Sequence, residues 1–226
     1  MGWFARIDRF ASAHMVRSQD ANYGCGISSI AMVNFKLKKS LIAASLAAGA
    51  SYPSILGGFV GATLASSALD DAVRSEDEVR QVYQQVSGQN VDLNVQGAAW
   101  NQYTAVLSAL RLGTWEAFDT GGTGFVQAVV NATAAGAPVI VVVNYPGGAE
   151  HAMVIDETHA WSGGHYLCVC DPWDGELRLL LGQAGQAAPS YDASQQPISL
   201  TFWGDRRSSG NTPVGTFNPW IVRRRV

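Results

Sequence analysis

At 226 residues, 47% of them hydrophobic and 15% charged, the chain can bury a sizeable core and is read as one domain over residues 1–226. A formal net charge of −3, with no block of five like charges, leaves no electrostatic footprint for nucleic acid and excludes that class of partner from the reading. Three cysteines do not make a secreted disulfide framework, and Arg6, Asp8 and Arg9 interrupt residues 1–14, so no secretory signal is read. The expected location is a cytoplasm, either the producing cell's own or that of a target cell reached without a signal peptide.

The first strong element signal is a helix that opens at Cys25. Ile27, Ile30, Ala31, Phe35 and Leu37 follow helical spacing, and Lys36, Lys38 and Lys39 gather where cations suit the end of a helix dipole. Residues 40–69 carry no charge and begin an apolar insertion at about 40–90. Its Gly, Ala and Ser content and Pro53 favour a packed or substrate-side segment over contact of 40–69 with a membrane. Ser75-Glu76-Asp77-Glu78 has the form of a capping box before Val79, Val82, Tyr83 and Val86, with Gly88 as a stop.

Residues 100–112 and 125–135 read as helices that end at Gly113 and Gly136. The period then changes. The β-branched run 139–143 and the segments 152–155 and 166–170 follow at short spacing, separated by glycine-rich and polar turns, and read as antiparallel strands. Segments 177–181 and 198–203 add further strands, 182–196 reads as a loop, and Arg223-Arg224-Arg225 reads as a solvated tail. Helices followed by an antiparallel sheet make an α+β domain.

The chemistry centres on Cys25. A thiol in the first turn of a helix feels the positive end of the dipole, which favours the thiolate, the species that attacks. Gln19, upstream, is placed to set its side-chain amide beside the Cys25 backbone N–H as a second donor for an oxyanion. A thiolate needs a proton acceptor, and the chain has four histidines: His14, His151, His159 and His165. His151 stands at the mouth of an apolar strand after a glycine turn, where a polar residue has little structural reason to be. His14 and His165 read as ordinary surface or strand residues.

Asp171, directly after the strand 166–170, is the best-placed group to orient the imidazole, with Asn144 and Asp156 as weaker alternatives. His165, Cys168 and Cys170 lack a nearby fourth ligand with zinc-like spacing, so no metal site is read; the two thiols pass for ordinary buried cysteines, and the chemistry at Cys25 calls for no cofactor. Trp161, Trp173, Trp203 and Trp220 fit a groove or a core equally well and carry no assigned role.

Gln19, the Cys25-Gly26 helix start, the Gly-Ala-Pro-Val-Ile-Val strand, Glu150-His151-Ala152-Met153-Val154-Ile155-Asp156 and Cys170-Asp171-Pro172-Trp173 together resemble the papain-like cysteine peptidases. Within that group they are most similar to the bacterial branch related to the C39 bacteriocin-processing peptidases. The resemblance implies a papain-like fold in which the nucleophile helix packs on a C-terminal antiparallel sheet. It also implies Cys25 as nucleophile, His151 as base, Asp171 as orienting group and Gln19 as oxyanion donor. The Cys-Gly-Pro common in the family is Cys25-Gly26-Ile27 here, and the 40–90 segment has no counterpart in a minimal domain of that kind.

The expected activity is hydrolysis of peptide bonds in a protein or peptide substrate through an acyl-thioester. A toxin or effector role, with a cognate inhibitor or immunity protein, is a further expectation. Glutamine deamidation, acyl transfer and an inactive papain-like binding module are the alternatives.

Overall fold

A computed structural model describes residues 2–50, 70, 72–192, 200–201 and 214–225, with the side chains of 40–50 and 200–201 outside the description. The chain begins with strands, which corrects the expectation of helices first. β1 (Trp3–Ile7) and β2 (Ala13–Arg17) form an antiparallel hairpin with Arg6 opposite His14. Two of the three charges that masked this hairpin are buried and paired: Arg6, its Nε 3.2 Å from Glu176 Oε2, and Asp8, whose Oδ2 is 2.8 Å from His159 Nε2; Arg9 is exposed. His14, read above as an ordinary surface or strand residue, lies on β2 and is 1% exposed.

α1 (Cys25–Ala50) starts at the expected residue. It does not end at the lysines; it runs on through residues 40–50, so Lys36 lies mid-helix and pairs with Asp156 and Glu157 at 3.3 and 3.6 Å. The rest of the 40–69 segment, 51–69, lies outside the described residues. No helix among the described residues is long and apolar enough to cross a membrane.

The expected capping box opens α2 (Glu76–Ser87). Ser75 Oγ accepts the Glu78 N–H at 3.2 Å, Glu78 Oε2 accepts the Ser75 N–H at 2.7 Å, and Gly88 closes the helix at φ +68°. The helix expected over 100–112 is a 3-10 turn, Trp100–Gln102, followed by the short α3 (Tyr103–Ala109).

β3 (Trp115–Asp119), unforeseen in the sequence, precedes α4 (Phe125–Ala134). β4 (Val139–Asn144), β5 (Glu150–Trp161), β6 (Gly164–Asp171) and β7 (Glu176–Gly182) follow as an antiparallel run. The short β8 (Ser190–Tyr191) lies within the stretch read as a loop. β9 (Leu200–Thr201) joins β1 at the hairpin sheet; the remainder of 198–203 lies outside the described residues. β10 (Gly215–Arg224) enters the main sheet between β3 and β4.

The main sheet has seven strands in the order β3-β10-β4-β5-β6-β7, with β8 paired to β10. Arg223 and Arg224 are therefore strand residues and not a solvated tail, and Arg225 follows directly after the strand. Arg223 Nη2 meets Glu116 Oε1 at 2.8 Å across β3 and β10, and Arg225 Nε meets Glu116 Oε2 at 3.1 Å.

Helices cover both faces, so the described chain is a mixed α+β assembly. On one face, Ile27, Ile30 and Ala31 of α1 pack with Ala152, Val154, Cys168 and Cys170. On the other, Phe125, Val126 and Val129 of α4 pack with Met153, Ile155 and Val169. The alternation along β5 follows from strand geometry, which turns successive side chains to opposite faces. Met153, Val154 and Ile155 are at most 1% exposed. Burying side chains of this size contributes about 1.5–3 kcal/mol each.

Candidate active site

α1 begins at Cys25, so Cys25's own N–H is among the first-turn donors that no helical carbonyl takes. Two close approaches fix this end. A Cβ on Gly26 would stand 1.9 Å from the Tyr103 hydroxyl, and one on Gly24 would stand 2.9 Å from Glu76 Oε1. A side chain at position 26 would run into the Tyr103 ring, and one at position 24 would push the Glu76 carboxylate aside.

Glu76, 4% exposed at the start of α2, accepts the Asp20 N–H at 2.9 Å and the Ser28 hydroxyl, tying the loop before Cys25 to the first turn of α1. Burial raises the Glu76 pKa, with Ser28 and the Asp20 N–H opposing it.

The pairing of β4 with β5 sets His151 at the start of β5, opposite Val143 and beside the half-buried Cys25. Asp171 lies at the end of β6 and is fully buried. His151 Nε2 is 2.7 Å from Asp171 Oδ1. With Nε2 held there, Nδ1 is the nitrogen left to hydrogen-bond the Cys25 sulfur.

Burial alone would raise the Cys25 pKa. The hydrogen bond and charge of His151, with the Ala152 and Gly26 N–H groups, outweigh burial and bring it below the ordinary thiol range. Burial would likewise neutralise His151; the Asp171 charge and hydrogen bond, with Cys25, overcome it and push the imidazole up to about 10. Asp171 stays ionised, below the usual carboxylate range, because His151 and Arg178 outweigh its burial. The favoured state is a thiolate beside an imidazolium, the reactive form of a cysteine nucleophile.

Three partners of Asp171 carried no signal strong enough to find from the sequence. Arg178 Nη1 reaches Asp171 Oδ2 at 3.2 Å and Asp174 Oδ1 at 3.1 Å, and Arg178 Nη2 reaches Asp174 Oδ2 at 2.5 Å. The Tyr191 hydroxyl donates to Asp171 Oδ2, and the Trp173 N–H donates to Oδ1 at 2.8 Å. The one usable clue was an arginine inside the apolar run Leu177-Arg178-Leu179-Leu180, where a charge needs a buried partner. Tyr191 lay in a stretch that reads as loop.

Gln19 is 2% exposed, and its N–H donates to the Pro172 carbonyl at 2.7 Å, linking the loop before Cys25 to the turn after Asp171. Its side-chain Nε2 donates to the Ala21 and Asn22 carbonyls, both at 2.9 Å. Both amide hydrogens are engaged there in holding the loop.

The weaker candidates stand elsewhere. Asn144 is opposite Glu150, and Asp156 pairs with His14 at 2.7 Å and with Lys36. His159 Nε2 is 2.8 Å from Asp8 Oδ2, and His165 is a half-buried strand residue opposite Ala160. Trp161 packs on Phe10 and Tyr166, Trp220 lies 6.3 Å from Trp100, and Trp173 is 41% exposed two residues beyond Asp171. Trp203 lies outside the described residues.

Set beside known proteins, the chain matches no family model and no curated protein.

Proposed function

We propose that the chain is a cysteine peptidase of papain-like fold, akin to the C39-related bacterial branch, with Cys25 as nucleophile, His151 as acid and base, and Asp171 as orienting group. The observation that carries this reading is the convergence, from three separate elements, of a half-buried thiol at a helix start, a buried imidazole and a fully buried carboxylate. The His151–Asp171 contact is 2.7 Å, and the Cys25 pKa is lowered by His151.

The Cys25 thiolate attacks the scissile carbonyl carbon, and the carbonyl electron pair moves onto oxygen. The oxyanion accepts the Cys25 N–H and, once one of its two carbonyl partners is released, a Gln19 Nε2 hydrogen. Imidazolium Nδ1 gives its proton to the departing amine as the C–N bond breaks, leaving a thioester on Cys25. Neutral His151 then takes a proton from water, hydroxide adds to the thioester carbonyl, and the thiolate leaves with the acid released. Asp171 holds Nε2–H throughout, so the other nitrogen always faces the sulfur.

The test is mass spectrometry of a cell lysate incubated with wild-type protein and, in parallel, with Cys25→Ala. New N-termini confined to the wild type are the expected result. Glutamine conversion without cleavage would move the reading to a deamidase, and identical digests would leave a binding module. For a toxin or effector role, expression in a susceptible cytoplasm should arrest growth with the wild type and not with Cys25→Ala.

A further inference from the structure

At the opposite end of the α1 face from His151, three strands bring dissimilar polar groups to one carboxylate oxygen. Asp8 Oδ2 lies 2.8 Å from His159 Nε2, 3.4 Å from His14 Nε2 and 3.6 Å from Cys168 Sγ. Asp8 Oδ1 is already taken by the Phe10 and Ser12 N–H groups at 2.8 and 2.9 Å. Five polar groups thus crowd the two oxygens of one carboxylate, three of them on Oδ2 alone.

The side chains of Asp8 and His14 are fully buried and Cys168 is fully buried, whereas the His159 side chain keeps 18% exposure. The ligating atoms of Asp8, His14 and Cys168 all lie within 4.8 Å of one another.

A bulge in β5 creates this arrangement. The register with β6 shifts between Ile155 and Glu157, so Glu157 faces Cys168 where strict alternation would have turned it away. Asp156 and Glu157 consequently both reach Lys36 on the α1 face. His159, two residues on, shares that face and reaches Asp8, while Thr158 points the other way to Thr133 at 2.9 Å. Without the extra residue, His159 would face α4.

We propose that Asp8 Oδ2, His14 Nε2, His159 Nε2 and Cys168 Sγ form a binding site for a zinc-type divalent transition-metal ion that ties the N-terminal hairpin to β5 and β6. Two imidazoles, a carboxylate and a thiolate are the donors such an ion takes. At bond lengths of about 2.0–2.3 Å, tetrahedral ligands sit about 3.3–3.7 Å apart. The His14 and Cys168 contacts to Asp8 Oδ2, at 3.4 and 3.6 Å, lie in that range, while the partly exposed His159, at 2.8 Å, must turn outward to complete the set. Carboxylate and thiolate together balance a dication, so the filled site carries no net charge into a buried setting.

His14 also has the outer partner that ligating histidines use: Nδ1 is held by Asp156 Oδ1 at 2.7 Å, which leaves Nε2 for the ion. Binding expels the Cys168 thiol proton and any proton on the two ligating nitrogens.

Cobalt(II) serves as the probe in the Cys25→Ser protein, which removes the one thiol that is not fully buried. One equivalent should give tetrahedral d–d absorption and a sulfur-to-cobalt charge-transfer band, both abolished by added Zn2+. Cys168→Ser should lose the charge-transfer band, while Cys170→Ser should keep it. Because Cys168→Ser carries a risk of misfolding, the partly exposed His159→Gln supplies a second test and should weaken cobalt binding at least tenfold. Asp156→Asn should weaken it about 10–100-fold.

Circular dichroism establishes that each variant is folded. Absence of a charge-transfer band in the parent, its survival in folded Cys168→Ser, or unchanged affinity in His159→Gln would each overturn the assignment.

Discussion

His151 is kept charged by a carboxylate that water does not reach. Asp171 is fully buried and takes hydrogen bonds from His151, Trp173, Arg178 and Tyr191, so its charge is only weakly screened and the imidazolium is favoured up to about 10. A raised histidine pKa stabilises the fold fully below the ordinary imidazole range, near 6.5, and that stabilisation is lost as pH rises through about 10. For Cys25 the sign is opposite, because its ionised form is the one favoured. The thiolate–imidazolium pair therefore persists between the lowered thiol pKa and about 10. Iodoacetamide alkylation of Cys25, followed against pH, is expected to rise through a pKa below the ordinary thiol range and to show a second step near 10. In Asp171→Asn the upper step should fall and the lower one rise, with peptide hydrolysis reduced on the order of 10²-fold. A single titration at the ordinary thiol pKa in the wild type would show that His151 does not act on Cys25.

At the scale of elements, the start of α1 is held from below by α3 and from the side by α2. The Tyr103 hydroxyl lies where a Gly26 Cβ would be, and its ring carbon Cζ would be 2.6 Å from that atom. Gly26→Ala must displace either a buried tyrosine or the helix end that carries Cys25. Overpacking of this kind costs about 1–3 kcal/mol. Urea denaturation is expected to show a loss of that size, with part of it recovered in Gly26→Ala/Tyr103→Phe, where the hydroxyl is gone. Additive effects of the two substitutions would mean that the contact is not the cause. The β5 bulge acts at the same scale: one extra residue leaves His151 in the unshifted part of the strand and turns His159 to the hairpin side.

Over the molecule, stability is expected to be graded. β4, β5 and β6 lie inside the sheet with helices on both faces, and Val139, Val141, Met153, Ile155, Leu167 and Val169 are fully buried. The hairpin of β1 and β2 belongs to a smaller sheet and is held by Arg6–Glu176 and by the Asp8 cluster. Native-state hydrogen exchange should find the slowest amides in β4, β5 and β6 and faster ones in β1 and β2. Equal protection in the hairpin would argue that it folds and opens as one unit with the main sheet. His151 and Cys25 lie at the start of β5 and α1, while Lys36 meets Asp156 roughly 16 Å further along the helix, at 1.5 Å per residue. The two clusters are thus separated along one helix and one strand.

The helix start at Cys25, the Ser75 capping box, the apolar strands that begin near Val139, Ala152 and Tyr166, and the places of His151 and Asp171 at strand ends were legible in the chain alone. Those features are local: dipole, cap and period-two burial act within a few residues and are written in neighbouring side chains. The remainder follows from contacts made on folding. Arg178 is buried by the turn between β6 and β7 that sets Asp171 and Asp174 beside it, whereas the hairpin of β1 and β2, the strand β10 and the burial of Arg6 against Glu176 depend on partners far along the chain. His14 read as an ordinary surface or strand residue for the same reason. A buried polar group is recognisable by what satisfies it: His14 meets Asp156, and Asp8 meets Cys168 and His159, only after the hairpin docks and β5 shifts its register by one residue.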